Sequence, residues 1–175
     1  MKPEGDLFFK RLSEIRVLML PVEGVLTQDS VLLLENGEQL RQVSYTDMVG
    51  LEYASQQKLR IFLIQRGNYQ SVYKAINIIA NIAFVGSVDT KLFEMEKFIL
   101  DHDIDSKETL FIGAQPDDLD CLNLAGVSIA TNDASWEIKN AASYISKYDG
   151  GKGCVREIIE MILKSQDVWF TSITG

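Results

Sequence analysis

Five short, nearly uninterrupted apolar runs constrain the fold of this chain more than any other feature. They are residues 17–20, 61–64, 82–85, 110–112 and 127–130. Because apolar residues follow one another instead of alternating with polar ones, each run suits a strand that is buried on both faces of a parallel sheet. The pattern therefore predicts a central parallel sheet that is covered on both sides.

Segments with helical periodicity separate these runs. Residues 72–79 carry apolar side chains at positions i, i+3, i+4 and i+7, and a longer amphipathic stripe covers residues 155–163. Strand–helix alternation predicts an open, right-handedly wound α/β sheet between two helical layers. The length suits one domain over residues 1–175, with a core at about 15–164 and a loose tail at 165–175 whose two aromatic side chains are exposed.

Residues 30–44 break this alternation and predict a β-hairpin flap directly after the first strand. The pair Asn36-Gly37 favours a type I′ turn, because both central residues of that turn need a positive φ. The flap should project from the carboxyl edge of the sheet, where open α/β folds place their sites. A two-stranded ribbon cannot bury the apolar residues 31–34 on both faces, so we expect another copy of the chain to cover them.

Charge and cysteine content exclude several classes of function. The chain has 17 Lys and Arg against 25 Asp and Glu, a net charge of −8, so it repels nucleic acids and anionic membrane surfaces. No apolar stretch approaches the ~20 residues of a membrane span, and no signal peptide is visible. Cys121 and Cys154 form neither a metal-binding spacing nor a disulfide framework. We therefore expect a cytoplasmic protein with reduced thiols and no nucleic-acid or membrane partner.

Three motifs resemble those of one enzyme superfamily. VEGVLT at residues 22–27, after the first apolar run, is similar to the first motif of the haloacid dehalogenase superfamily. ENGE at 35–38 and GGKGCVRE at 150–157 resemble the hairpin turn and the C-terminal signature of its capless 3-deoxy-D-manno-octulosonate 8-phosphate phosphatases. The similarity covers about residues 15–163. It implies a Rossmannoid three-layer sandwich without a cap domain, Mg²⁺-dependent phosphomonoesterase chemistry and a tetramer.

The first motif departs from the family at both catalytic positions. The resemblance implies an Asp that attacks phosphorus and ligates Mg²⁺, and a second Asp that serves as general acid and base. This chain has Pro21 and Glu23 at these positions. Proline offers no nucleophile and no side-chain oxygen, whereas Glu23 keeps a carboxylate that is one methylene longer. Covalent phosphoryl transfer of this class depends on the missing carboxylate.

The metal-holding motif is degenerate as well. Ala114 and Gln115 stand where the family has two acidic residues that hold Mg²⁺, and Asp118 matches the last acid of the motif. Mg²⁺ binds octahedral oxygens, usually including one or two carboxylates, so we expect no metal cofactor. Asp117 and Asp118 are interpreted first as acids that cap a helix N-terminus.

Five residues remain as candidates for anion or substrate binding. Gln65 replaces the phosphate-binding hydroxyl of the family's second motif and could donate from its amide, and Arg66 follows it. Lys91 matches the lysine that offsets charge in the transition state, and Thr27 completes the first motif. Asp47 matches an acid near the substrate end, although an acid in the first turn of a helix is an equal interpretation.

These departures favour a phosphatase homologue that has lost hydrolysis and has a binding, assembly or regulatory role. The resemblance implies a phosphorylated or acidic 2-keto sugar as its ligand and a homo-oligomer, a tetramer, as its assembly. The alternative is an active phosphatase with a rearranged site. A phospho-acceptor receiver domain shares the sheet topology, but it needs an Asp at a strand tip and an acidic pair, which Glu23 alone does not supply.

Overall fold

The structure, a computed structural model, describes residues 3–67, 70–79 and 81–170 as alternating strands and helices. Its strands, in chain order, are β1 (Val17–Pro21), β2 (Leu32–Leu33), β3 (Gln39–Leu40), β4 (Arg60–Gln65), β5 (Ile82–Gly86), β6 (Thr109–Gly113), β7 (Val127–Ala130) and β8 (Tyr144–Ile145). Its helices are α1 (Pro3–Ser13), α2 (Tyr45–Gln56), α3 (Gln70–Ile76), α4 (Lys91–Asp101), α5 (Leu119–Leu124), α6 (Trp136–Ala141) and α7 (Cys154–Ser165). Among the described residues, no helix is both long and apolar enough to cross a lipid bilayer.

Six strands form one parallel sheet in the order β5-β4-β1-β6-β7-β8. Strands β1 and β6 are buried at every position, and helices pack on the sheet: α2 contacts β4, α5 contacts β6 and β7, and α6 contacts β7. The predicted parallel sheet and its layers are confirmed, and the five apolar runs are β1, β4, β5, β6 and β7. The sequence pattern does not predict β8, since Tyr144 and Ile145 belong to no apolar run.

The hairpin after β1 is confirmed, but its strands are short and its turn differs from the predicted type. The Gly37 amide donates to the Leu34 carbonyl at 2.9 Å, and Gly37 has a φ of +85°. Asn36 does not adopt a positive φ; its side-chain oxygen accepts a hydrogen bond from the Glu38 amide at 3.0 Å. The predicted type I′ turn is therefore wrong, because residues 35–37 form a three-residue loop that ends in a left-handed glycine.

The segment after α7 packs against the protein instead of forming a loose tail. The Arg156 guanidinium lies 4.5 Å from the centroid of the Trp169 ring, which is half-buried. The Phe170 ring stacks on Tyr53 with 4.2 Å between the centroids. The predicted looseness is wrong as far as Phe170, because both aromatic rings contact α2 or α7. The predicted exposure holds for Phe170, which is 54% exposed, but not for Trp169. Residues 171–175 lie outside the described residues.

The glycine-rich C-terminal signature contacts the loop after β1 through its backbone. A Cβ atom on Gly150 would lie 1.8 Å from the Gly24 carbonyl oxygen. Gly151, at a φ of +65°, donates its amide to the Val25 carbonyl at 2.8 Å. Only residues without a side chain allow this approach, so the signature holds the loop that carries the first motif.

We expect Gly150→Ala to lower the free energy of unfolding by about 3 kcal/mol, because the new methyl group overlaps the Gly24 backbone. Gly37→Ala is the matched control. Its φ of +85° costs about 1 kcal/mol for a residue with a Cβ, but nothing lies within 4 Å of the added atom. Urea denaturation measures both variants, and an equal or larger loss in Gly37→Ala would contradict the close backbone contact.

Candidate functional site

Three adjacent strands bring the candidate catalytic positions to one edge of the sheet. Strand β1 lies between β4 and β6, and the chain winds outward from it in both directions. The carboxyl ends of these strands therefore form a switch point, where open α/β sheets bind ligands. Pro21 ends β1, Gln65 ends β4 and Ala114 follows β6, while Glu23 lies in the irregular turn after Pro21.

The Glu23 carboxylate binds the backbone of the loop after β4. Its Oε1 accepts a hydrogen bond from the Gly67 amide at 3.1 Å, and its Oε2 accepts one from the Arg66 amide at 3.3 Å. The two loops are brought together by the parallel pairing of β1 and β4. Both oxygens of Glu23 are thus engaged within the chain.

The Gln65 side chain is also turned toward this loop. Gln65 is only 2% exposed, and its Nε2 donates to the Gly67 carbonyl at 2.6 Å. Its Oε1 is buried and has no hydrogen-bond partner among the described residues. One of the two amide hydrogens therefore binds the loop, and the side-chain oxygen is an acceptor without a donor.

Lys91 lies buried at the start of α4 between two carboxylates. Its side chain is 3% exposed, and its Nζ lies 2.5 Å from Asp118 Oδ1 and 3.1 Å from Asp117 Oδ2. Burial alone would lower the pKa of Lys91, but the charges and hydrogen bonds of Asp118 and Asp117 raise it above its ordinary value. The amine is therefore a buried cation whose charge is already compensated by the protein.

The Asp118 carboxylate closes the loop after β6. Its Oδ2 accepts hydrogen bonds from the amides of Ala114 at 2.8 Å and Gln115 at 3.0 Å, while its Oδ1 accepts from Lys91. This is the capping-box arrangement of a short helical turn. The predicted capping role of Asp118 is confirmed, and the same carboxylate also serves as the partner of Lys91.

Asp117 connects Lys91 to Arg66, a role that the sequence does not predict. Asp117 Oδ2 lies 3.0 Å from Arg66 Nη1 as well as 3.1 Å from Lys91 Nζ. The sequence suggests only a helix cap for Asp117 and an anion contact for Arg66. In the structure the Arg66 guanidinium binds a carboxylate of its own chain, so both cations at this edge of the sheet are paired.

The side chains at this edge do not fit the magnesium site that the resemblance implies. Pro21 and Ala114 offer no side-chain oxygen. The oxygens of Asp118 are occupied by Lys91 and by two backbone amides, whereas Mg²⁺ requires near-ideal octahedral oxygen ligands. Within residues 3–67, 70–79 and 81–170, no three His, Cys, Asp or Glu side chains are grouped so that they could hold a metal ion.

Two further candidates, Asp47 and Thr27, make structural contacts. The buried Asp47 carboxylate accepts hydrogen bonds from the Gly153 amide at 3.0 Å and the Arg156 amide at 2.8 Å, at the start of α7. Burial raises the pKa of this carboxyl, although these amides oppose the shift. The Thr27 hydroxyl donates to the Val22 carbonyl at 3.1 Å. Asp47 thus caps α7 and Thr27 closes the turn after β1, while their contact with a substrate stays a prediction.

Sequence reasoning misses two hydroxyl groups beside Ala114. The Thr131 amide donates to the Gly113 carbonyl at 3.1 Å, and the Ser135 amide donates to the Ala114 carbonyl at 2.9 Å. The hydroxyls of Thr131 and Ser135 are buried without a partner among the described residues. The available signal is the position of Thr131 directly after an apolar run, which places it at the carboxyl edge of the sheet.

We expect Lys91→Met to lower the free energy of unfolding by about 3–5 kcal/mol, since it leaves the Asp118 carboxylate buried without its cation. Adding Asp118→Asn should recover part of that loss, because an asparagine oxygen still accepts the loop amides. Urea denaturation of the single and double variants measures the coupling. Lys164→Met, which removes an exposed pair with Glu160, is the control and should cost less than ~1 kcal/mol. Additive losses for Lys91 and Asp118 would contradict the buried pair.

Comparison with known proteins identifies the family to which the fold belongs. A family model described as haloacid dehalogenase-like hydrolase matches residues 53–158, more than half of the chain. The N-acylneuraminate cytidylyltransferase of Oncorhynchus mykiss is 31% identical over 155 residues, which are 85% of this chain and 35% of that protein. The chain thus spans about a third of the length of such cytidylyltransferases.

Shorter relatives match over nearly their whole length. The 3-deoxy-D-manno-octulosonate 8-phosphate phosphatase of Haemophilus influenzae is 26% identical over 160 residues, 90% of this chain and 87% of that protein. The crystal structure of the Moraxella catarrhalis phosphatase of the same name, in complex with a magnesium ion, a phosphate ion and a KDO molecule, covers 93% of each chain with a TM-score of 0.88 at 22% identity. With its parallel sheet, its hairpin and the family match, this chain belongs to the haloacid dehalogenase-like hydrolases.

Proposed function

We propose that this chain is a phosphatase homologue that no longer hydrolyses phosphate esters and that has a binding, assembly or regulatory role. The observation that carries the proposal is Pro21, which ends β1 at the position of the nucleophile. The residues on either side of Pro21 cannot supply a nucleophile instead, because Leu20 and Val22 are both apolar and fully buried.

The remaining carboxylates support this proposal through their contacts. Glu23 binds the amides of the loop after β4, and Asp118 binds Lys91 and two amides of its own loop. A nucleophile or general base needs an oxygen that can reach the substrate. The carboxylate oxygens of Glu23 and Asp118 already accept hydrogen bonds within the protein.

A phosphorylated or acidic 2-keto sugar is the ligand class that we propose. The relatives are named for N-acylneuraminate and for 3-deoxy-D-manno-octulosonate 8-phosphate, and both compounds are acidic 2-keto sugars. Gln65, Arg66 and Lys91 lie at the switch point, where such a ligand would bind. We therefore propose that the ligand binds at the carboxyl edge of the sheet and is not hydrolysed there.

The match to the cytidylyltransferases also supports a protein partner, an enzyme that acts on sugar nucleotides. The segment similar to this chain is about a third of the N-acylneuraminate cytidylyltransferases, so this type of domain occurs within longer proteins of that name. We propose that the present chain assembles with an enzyme that activates or processes acidic sugars. The buried free thiols Cys121 and Cys154 favour a reducing compartment, the cytoplasm.

Self-association is proposed from the exposed leucines of the hairpin. Leu32, Leu33 and Leu40 are 61%, 69% and 50% exposed, and they lie together on the two short strands. A two-stranded ribbon is marginally stable by itself, and an exposed apolar ribbon pairs readily with another chain. We propose that further copies of the chain cover it in a tetramer.

Purified protein should show no phosphatase activity with Mg²⁺, Mn²⁺ or Co²⁺, on an aryl phosphate or on phosphorylated 2-keto sugar acids. Loss of a nucleophile that acts within a catalytic unit costs on the order of 10⁶ in rate. A turnover above ~0.1 s⁻¹ that survives repurification and disappears in Asp118→Asn would overturn the proposal, because slow genuine enzymes work in that range. It would favour an active phosphatase with a rearranged site.

Multi-angle light scattering at micromolar concentration should detect a tetramer, and Leu33→Glu should reduce it to smaller species, because a charge on the ribbon opposes its burial. Leu100→Glu is the matched control: Leu100 is 81% exposed at the end of α4, and its substitution should leave the assembly unchanged. Circular dichroism verifies that both variants fold. A monomeric wild-type protein is the contrary result.

A further inference from the structure

We propose that a groove along α7 binds an acidic, amphipathic helix of a partner protein. The floor of this α7 groove is the side of the helix that carries Arg156, Glu160 and Met161, and its walls come from α1 and from the segment that includes β8. The inference rests on the assembly role proposed above. It adds the surface that the partner contacts and the chemistry of the segment that binds there.

The α7 groove is elongated. Its floor residues recur at helical spacing on the side of α7 that the core does not use, since the core takes Val155, Ile158 and Ile159. A cavity of about 840 Å³ continues past Met161 into a second cavity that Met161 also lines. Gly153 and Ser165 line its two ends, and the helix rises about 18 Å between them. This length suits a docked helix of about three turns.

Aromatic side chains in the groove are accessible to a partner. Phe9 of α1 is 53% exposed and Tyr148 is 50% exposed, while Met161 is half-buried. The Tyr144 ring is held by stacking on Phe8, with 5.7 Å between the centroids. Aromatic residues and methionine are enriched in protein interfaces. These side chains therefore suit the apolar face of an amphipathic helix.

The groove is positively charged, although the chain has a net charge of −8. Among the residues that the structure describes, two acids, Glu157 and Glu160, line it against five basic residues: Lys10, Lys147, Lys152, Arg156 and Lys164. Glu157 accepts a hydrogen bond from the Tyr144 hydroxyl at 3.1 Å, and Glu160 lies 2.6 Å from Lys164. Asp149, which lies 3.1 Å from Lys152, leaves the excess positive. Charge complementarity therefore favours acidic side chains on the partner.

Fluorescence anisotropy with a designed peptide tests this inference on the 175-residue chain. The probe is a labelled helix of about 14 residues with leucine on one face and glutamate at the other positions. It should bind at least about tenfold more tightly than the same peptide with lysine in place of glutamate, although the net charge of the chain favours the basic peptide. A third peptide, with serine in place of leucine, should bind at least about fivefold more weakly than the probe.

Paired charge reversals locate the binding surface. Lys147→Glu combined with Lys164→Glu should weaken binding of the probe at least about tenfold. Lys97→Glu combined with Lys107→Glu is the matched control, because these exposed lysines lie outside the groove and the change in net charge is the same. The control should change the affinity by less than about twofold, since salt screens distant charges. Circular dichroism verifies folding, and glutamine replaces glutamate in any variant that does not fold.

A matched pair of ring deletions tests the apolar contact. Phe9→Ser should weaken binding of the probe at least about fivefold. Phe93→Ser removes a ring that is 61% exposed on α4, outside the groove, and should leave the affinity unchanged.

Three results would overturn the inference. The first is equal affinity for the acidic and the basic peptide, and the second is a groove variant that binds the probe as tightly as its control. The third is a smaller assembly of the Lys147→Glu, Lys164→Glu variant than of the wild type in light scattering, which would assign the groove to another copy of the chain. None of these measurements uses turnover, so the hydrolysis assay judges the loss of activity separately.

Discussion

The buried contact between Lys91 and Asp118 organises the carboxyl edge of the sheet. A lysine that is almost inaccessible to water is stable as a cation only when a carboxylate lies beside it, and a buried carboxylate has the same requirement. Because Asp118 also accepts the amides of Ala114 and Gln115, this one contact joins the start of α4 to the loop after β6. The buried ion pair thereby holds the start of α4 against the loop after β6.

The chain has the fold of the haloacid dehalogenase-like hydrolases, and the polar groups at the carboxyl edge of its sheet pair with one another. Glu23 accepts hydrogen bonds from two amides of the loop after β4. Asp117 forms ion pairs with both Arg66 and Lys91. Each of these groups belongs to a type that elsewhere binds phosphate or metal, and each has a partner inside the protein. Pro21 offers no nucleophilic side chain at the end of β1, and the surrounding contacts compensate the charges at this edge within the protein.

The sequence predicts the sheet because five apolar runs lack the polar alternation of half-exposed strands, and continuous apolar strands suit a parallel sheet that is buried on both faces. It also predicts the site's place, since Pro21, Gln65 and Ala114 each follow a run. It does not predict that Glu23 reaches the Arg66 and Gly67 amides, because that contact depends on how two loops from adjacent strands meet. Local preference likewise fails at Asn36, where a three-residue loop replaces the expected turn.

The approach of Gly150 to the Gly24 carbonyl bears on how relatives of this chain are recognised. Gly150 and Gly151 meet a requirement of backbone packing against the loop after β1. A search keyed to these glycines detects an architecture, and it will group active enzymes with chains that lack a nucleophile. Assigning catalytic activity within such a group therefore requires inspection of the residue that ends the first strand, here Pro21.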